Sequence, residues 1–199
     1  MSEIPLFPLP LVLFPGGHLP LEIYEPRYLD MIGRCLRDNG GFGVVMIEEG
    51  EQLLKSRDDQ LPSVAYTGTY CTIIDFDQSD NGMLRILVEG QVKFVIRDQY
   101  ENADRLMMAD VEFLENEPLI AIPDDKAELA GLLENLLEHE AARGLQLEVN
   151  FECASDVGGR LAELLPLPNK LKQRLLEMKN PLARLSDLES VITQLQEVG

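Results

Sequence analysis

A carboxylate, a guanidinium and two phenols lie within one short run of the sequence, at Tyr24, Glu25, Arg27 and Tyr28. Pro26 stands between them, and proline suits the first position of a helix. A carboxylate beside a helix N-terminus is electrostatically favoured, so these side chains could serve only to clamp a helix to its neighbours. A run of acid, base and aromatic groups can also contact a ligand. We predict a peptide-binding role for these four residues, with the clamp as the alternative.

The sequence lacks the motifs for nucleotide, metal and nucleophilic chemistry. The glycine-rich run Gly40-Gly41-Phe42-Gly43 has no lysine after it, as a phosphate-binding loop requires. His18 and His139 are the only histidines, and neither has a second His or Cys at ligand spacing. No Ser, Thr or Cys lies in a recognisable nucleophile motif. We therefore predict no catalytic residue, no cofactor and no metal. An acid–base site assembled only by the fold stays open as an alternative.

The formal charge of the chain is −18 over 199 residues. A negative field of this size repels nucleic acid and anionic lipid, so neither is expected as a partner. The charge is uneven: residues 1–118 carry −12, residues 119–156 carry −7, and residues 157–199 carry +1. Lys170, Lys172 and Arg174 form one small basic cluster, which leaves RNA binding as a further alternative.

We expect neither a secretory signal nor a membrane span in this sequence. The N-terminus has Glu3 where a secretory signal has basic residues, and prolines interrupt the apolar run that follows. No apolar run is long enough to cross a membrane. The odd count of cysteines (Cys35, Cys71 and Cys153) fits a reducing compartment and predicts buried thiols. We expect a cytoplasmic protein.

The residue patterns divide the chain into two parts, which predicts an α+β fold. Residues 1–118 are rich in β-branched and aromatic runs, which favour a mostly antiparallel sheet or small barrel with one inserted helix. The expected strands are Pro10–Phe14, Gly43–Ile47, Ala65–Phe76, Met83–Ile96 and Leu106–Leu114, with a helix from Pro26 and a hairpin turn at Ser79-Asp80-Asn81-Gly82.

Residues 119–199 have leucines at helical spacing and are predicted to be helical. A capping box at Asp125–Glu128 indicates the first helix, and Gly144 is a natural stop for it. Further helices are expected near Ser155, after Pro168 and from Asn180-Pro181. The predicted domains are therefore 1–118 and 119–199.

Several motifs in order resemble the N-terminal domain of Lon proteases. They are Ile4-Pro5-Leu6-Phe7-Pro8-Leu9, Val12-Leu13-Phe14-Pro15-Gly16, Leu19-Pro20-Leu21, Ile23-Tyr24-Glu25-Pro26-Arg27-Tyr28, Gly68-Thr69, the run from Gly82 to Gly90, Leu161-Ala162, Lys172-Gln173-Arg174-Leu175-Leu176-Glu177 and Arg184-Leu185. The run Ile23 to Tyr28 is more similar to the free-standing and RING-linked members of that family than to the protease.

This resemblance implies a PUA-like β-barrel followed by a C-terminal α-helical bundle. It also implies a non-catalytic module that binds unfolded or extended polypeptide segments, with a separate protease or chaperone as a further partner. The ATPase and the Ser-Lys peptidase of the full protease have no counterpart in the sequence, so their activities are not expected here. The resemblance therefore favours a substrate-recognition domain.

Overall fold

The computed structural model describes residues 1–53, 59–79 and 82–198. Two units divide the chain, Met1–Glu115 and Asn116–Gly199. The first contains helix α1 and the strands of one sheet, and the second contains helices. The elements of the first unit are β1 (Ser2–Leu9), β2 (His18–Ile23), α1 (Pro26–Asp38), β3 (Gly41–Glu49), β4 (Ser63–Val64), β5 (Thr67–Gln78), β6 (Leu84–Glu101) and β7 (Met107–Phe113).

The sheet of the first unit closes on itself because β1 has a partner on each side. Residues 2–5 of β1 pair with β7 in antiparallel fashion, and residues 6–9 pair with β3 in parallel. The remaining pairings, β7 with β6, β6 with β5 and β5 with β3, are antiparallel and complete a ring of five strands. β2 adds to β6, and β4 adds to β3. The mostly antiparallel sheet is therefore confirmed.

The strand predicted at Pro10–Phe14 is wrong, because the first strand lies earlier, at Ser2–Leu9. Pro5 and Pro8 fall inside this strand, although proline weakens a central strand. The strand changes its partner between Pro5 and Leu6, so each proline lies where β1 pairs on one side only. A proline nitrogen facing away from the paired side removes no ladder hydrogen bond.

The other predicted elements of this unit are confirmed with shifts at their ends. Helix α1 begins at Pro26, and Asn39 ends it in the left-handed conformation at φ 55°. β2 was not predicted, and its one proline, Pro20, lies opposite Leu87 of β6. Of the predicted hairpin turn, Asp80 and Asn81 lie outside the described residues, while Gly82 has φ +82°, which favours glycine.

Two apolar clusters fill the first unit. One joins the inner face of the sheet to α1 and includes Phe7, Tyr28, Met31, Ile32 and Phe42. The other lies among the paired strands and includes Leu6, Val45, Phe94, Ala109 and Val111. All three cysteines of the chain are buried and free, as predicted.

The second unit contains α2 (Ala127–Leu137), α3 (Glu140–Arg143), α4 (Ala154–Leu164), α5 (Asn169–Glu177) and α6 (Pro181–Val198), with a 3-10 turn at Asp124–Lys126. α4 contacts α2, α5 and α6. The predicted capping box at Asp125–Glu128 is wrong: the 3-10 turn occupies this position, and α2 starts after it without a side-chain cap.

A buried ion pair fixes the start of the second unit. The guanidinium of Arg184, which is 1% exposed, donates through Nη1 to Glu117 Oε2 at 2.8 Å. Arg184 also donates to the backbone oxygens of Leu175 and Met178, both at 2.9 Å, and Ser155 Oγ donates to the same Glu117 oxygen at 2.7 Å. A buried charge needs such partners, so this cluster is structural.

Candidate functional site

The predicted segment Tyr24–Tyr28 joins β2 to α1. Glu25 has extended backbone angles (φ −77°, ψ 131°), and Pro26 follows it as the first helical residue. The backbone oxygen of Glu25 accepts from the N–H groups of Tyr28 and Leu29, both at 3.0 Å. The segment therefore turns the chain from strand into helix.

Arg27 is buried, at 7% exposure, and its donors are occupied by the protein. Its Nη2 lies 2.9 Å from Glu25 Oε2. Nη1 donates to the backbone oxygen of Arg105 at 2.9 Å, and Nη2 donates to that of Gln52 at 3.4 Å. The guanidinium thus ties the helix start to two distant loops, as expected for a clamp.

Tyr28 is also part of the clamp. Its ring is 4% exposed, stacks on Phe7 with centroids 4.1 Å apart, and carries the Arg27 guanidinium 4.5 Å from its centroid. Burial raises the pKa of Tyr28 to about 12, against the opposing effect of Arg27. The structure brings Glu25, Arg27 and Tyr28 together in this cluster, whereas the Tyr24 side chain is 52% exposed.

The two halves of β5 differ in their pairing. The inner half, residues 67–72, pairs with β6 on one side and with β3 on the other from Thr69 to Thr72. The outer half, residues 73–78, pairs with β6 alone among the residues that the structure describes. Residues 74–78 are all exposed, and Ile74 and Phe76 are 44% and 59% exposed. The outer half of β5 is therefore an open strand edge with apolar side chains on it.

Tyr24 and Gln78, the last residue of the open edge, lie at the same end of the sheet. β6 runs between β2 and the outer half of β5, and Leu84 of β6 is in register with both Ile23 of β2 and Gln78 of β5. Two strand spacings separate the outer strands, about 10 Å. Tyr24 directly follows Ile23, so it lies about two strands away from the end of the β5 edge.

Two carboxylates occupy backbone donors of the open edge. The N–H of Phe76 donates to Asp75 Oδ1 at 2.9 Å, and the N–H of Gln78 donates to Asp77 Oδ1 at 2.7 Å. The sequence interpretation missed this edge. The alternation Asp75-Phe76-Asp77 was a usable signal, since charged residues on a strand commonly protect an exposed edge.

An apolar cavity of about 370 Å³ lies at the barrel side of α1. Its lining includes Pro5, Met31, Cys35 and Met108. Burial raises the pKa of the Cys35 thiol, whose Sγ donates to the Gly41 oxygen at 3.4 Å. A thiol held protonated is a poor nucleophile, so the cavity offers apolar contact rather than nucleophilic chemistry.

The described part of the chain contains neither a metal-binding cluster nor a membrane-spanning helix. Within residues 1–53, 59–79 and 82–198, no three His, Cys, Asp or Glu side chains are grouped so that they could hold a metal ion. Over the same residues, no helix combines the length and the apolar character that a membrane crossing requires.

The closed sheet and the helical unit define the class of this protein, because a solved structure has the same architecture. A Lon N-terminal domain protein from Xanthomonas campestris is 30% identical with a TM-score of 0.76, over 96% of this chain and 98% of that one. The N-terminal domain of a Mycobacterium avium complex Lon protease has the same fold, with a TM-score of 0.60 at 15% identity over 94% and 96% of the two chains.

The chain belongs to the family of the ATP-dependent protease La (LON) substrate-binding domain, whose sequence model matches residues 3–194. Lon protease from Brevibacillus choshinensis is 26% identical over 98% of this chain and 25% of its own length. A LON peptidase N-terminal domain and RING finger protein from Schizosaccharomyces pombe is 28% identical over 98% of this chain and 46% of its own length. The chain thus spans about a quarter of the length of the Lon proteases it matches. The family is one of substrate-binding domains.

Proposed function

We propose that this chain binds unfolded or extended polypeptide segments in the cytoplasm and presents them to a separate protease or chaperone. The observation that carries this proposal is the open outer half of β5, with Ile74 and Phe76 exposed on it. An extended peptide can pair with such an edge through main-chain hydrogen bonds, which need no particular sequence. Membership of a substrate-binding family supports the same function.

The four residues predicted from the sequence have different roles in this proposal. Tyr24 contacts the bound segment, because its ring is exposed at the end of β2. Glu25, Arg27 and Tyr28 position Tyr24 by fixing the turn into α1. Aromatic side chains of this kind give large contact area at low entropic cost.

The proposal also covers the architecture of the two subdomains. The barrel subdomain, residues 1–118, is of the PUA-like type and carries the binding surface, and residues 119–199 form a helical bundle subdomain. The sheet that closes through β1 supports the first assignment, and the contacts of α4 with its neighbouring helices support the second.

Fluorescence anisotropy tests the proposal with a panel of labelled, unstructured peptides of unrelated sequence. We expect dissociation constants near the micromolar range, typical of weak and transient recognition. Tyr24→Ala should weaken binding about fivefold, since exposed aromatic side chains often dominate an interface. Tyr66→Ala is the matched control, because Tyr66 is 71% exposed elsewhere on the first unit and should leave binding unchanged. If no peptide binds at about 100 µM protein, the proposed function is wrong.

A further inference from the structure

Three strand edges in the first unit are each protected in a different way against pairing with a further strand. β2 pairs with β6 alone among the described residues, and Pro20 within it offers no donor to a further strand. The end of β6 carries Asp98, whose Oδ1 accepts the N–H of Gln99 at 2.9 Å. The segment Leu61–Ser63 borders the same cavity as Gln99–Glu101, so this end of β6 has a neighbour. Within the part of the chain that the structure describes, the outer half of β5 is protected only by its own carboxylates, Asp75 and Asp77.

The spacing of these carboxylates matches the repeat of a strand. Asp75 and Asp77 lie opposite Leu87 and Arg85 of β6, so both point to one face of the sheet. Alternate residues of any strand are about 7 Å apart, and an added strand would have its own alternate residues beside these two. Phe76 lies opposite Ile86 and therefore on the other face, which is the face that packs on α1.

We propose that the outer half of β5 selects an extended polypeptide segment in which two lysine or arginine residues flank an apolar residue. Asp75 and Asp77 protect the edge while no strand is bound. When a strand binds, each carboxylate leaves its backbone N–H and pairs with a cation of the incoming strand. The N–H groups of Phe76 and Gln78 then become donors to that strand. The inference rests on the proposed function and specifies which substrates are bound.

The preference for a positively charged strand follows from the carboxylate contacts that an incoming strand must displace. A neutral strand competes with a carboxylate for the Phe76 N–H, and a hydrogen bond to a charged acceptor is about twice as strong as a neutral one. A strand with cations gives the carboxylates a new partner of opposite charge. The cation nearest in register is Arg85, opposite Asp77, and its Nε donates to Glu22 Oε1 at 3.0 Å. The surface at this edge therefore retains a negative excess, in keeping with the −18 of the chain.

Four labelled peptides of about 12 residues serve as probes, with serine and glycine on each side of a short core. The core alternates lysine with valine in the first probe, and glutamine or glutamate replaces each lysine in two others. The fourth has the composition of the first but places its lysines next to one another. We expect the alternating lysine probe to bind about tenfold tighter than the glutamine probe. It should also bind several-fold tighter than the probe with adjacent lysines, and the glutamate probe should bind most weakly.

Two sets of variants separate the charge from the strand pairing. Asp75→Asn with Asp77→Asn keeps an oxygen acceptor on each side chain but removes the charge, and should lower the preference for lysine to less than about threefold. Asp98→Asn is the matched control, because it makes the same change in the same local motif on β6, and should leave the preference unchanged. Phe76→Pro removes the outward N–H, which bonds to Asp75 rather than to β6, and should weaken binding of every probe.

The outcomes distinguish this inference from the function on which it rests. If the probes bind but the double Asn variant keeps the full preference for lysine, Asp75 and Asp77 do not select the substrate and the inference is wrong. It is equally wrong if Asp98→Asn lowers the preference as much, or if the two lysine probes bind alike. If no probe binds the unaltered chain at all, the proposed function itself fails.

Discussion

The inner and outer halves of β5 belong to one strand but differ in almost every physical property. Thr67, Gly68 and Thr69 are buried in the inner half, which packs so tightly that a Cβ on Gly68 would lie 2.6 Å from the Val44 oxygen. The outer half is exposed from Ile74 onward and pairs on one side among the described residues. One half of the strand therefore stabilises the closed sheet, while the other leaves its outer backbone edge exposed.

Two phenylalanines give the largest expected contrast between these halves. Phe94, opposite Gly68, is fully buried, whereas Phe76 in the outer half is 59% exposed. Phe94→Ala should lower the free energy of unfolding by about 4 kcal/mol, because it leaves a cavity among buried strands. Phe76→Ala should lower it by less than about 0.5 kcal/mol. Urea denaturation followed by circular dichroism measures both, and similar losses would abolish the distinction between the halves.

Gly68→Ala tests the tight packing of the inner half directly. The added methyl would lie 2.6 Å from Val45 Cγ1 and 2.7 Å from Phe94 Cζ, so neighbouring strands must move apart. We expect a loss of about 3 kcal/mol in unfolding free energy. Gly33→Ala in α1 is the control, since no atom lies within 4 Å of its Cβ position, and it should stabilise by about 0.5 kcal/mol. A Gly68→Ala variant as stable as the unaltered chain would contradict the packing account.

Arg27 and Arg85 show the same contrast between a buried and an exposed position. Arg27 is 7% exposed and paired with Glu25, whereas the side chains of Arg85 and its partner Glu22 are 59% and 46% exposed. Arg27→Met should cost about 2 kcal/mol, because Glu25 and the Arg105 oxygen lose their donor. Arg85→Met should cost at most about 0.5 kcal/mol. Thermal unfolding compares the two, and equal shifts would show that Arg27 is not a structural clamp.

The pH dependence of stability should reveal the buried phenol of the clamp. The pKa of Tyr28 is raised to about 12 in the folded chain, against about 10 in the unfolded chain. Between these values the unfolded state loses the proton first, so stability falls as the pH rises from 10 to 12. Tyr28→Phe should remove a fall of about 2 kcal/mol, and Tyr24→Phe should retain it because Tyr24 is exposed. Denaturation at pH 9 and pH 11.5 measures the difference, and identical slopes in both variants would contradict the burial of Tyr28.

Patterns with a local physical cause were predicted well from the sequence. Helix α1 begins at Pro26 as predicted, because proline at the first helical position acts on its own backbone. Residue types also predicted that the cysteines are buried. They likewise predicted the long antiparallel strands β5 and β6. The position of β1 was not, because the tolerance of Pro5 and Pro8 depends on which strands lie beside them.

The candidate site was predicted only in part, because its properties depend on pairing. The sequence indicated Tyr24, Glu25, Arg27 and Tyr28 as one group, but only the fold shows that Arg27 and Tyr28 are buried while Tyr24 is exposed. The open edge arises because β5 continues past Thr72, its last residue paired with β3. The sequence does not show how far strands distant in sequence extend past one another, so the alternation Asp75-Phe76-Asp77 was the usable local signal of this edge.

A backbone amide chemical-shift titration tests the central claim most directly. The isotope-labelled chain is titrated with the peptide whose core alternates lysine and valine, and each amide is followed by heteronuclear NMR. We predict that the largest shifts fall on residues 73–78 of β5 and on Tyr24, with small shifts on residues 67–72. Shifts that fall mainly on the inner half of β5 or on the helices of the second unit would contradict the claim that the outer half of β5 is the binding edge.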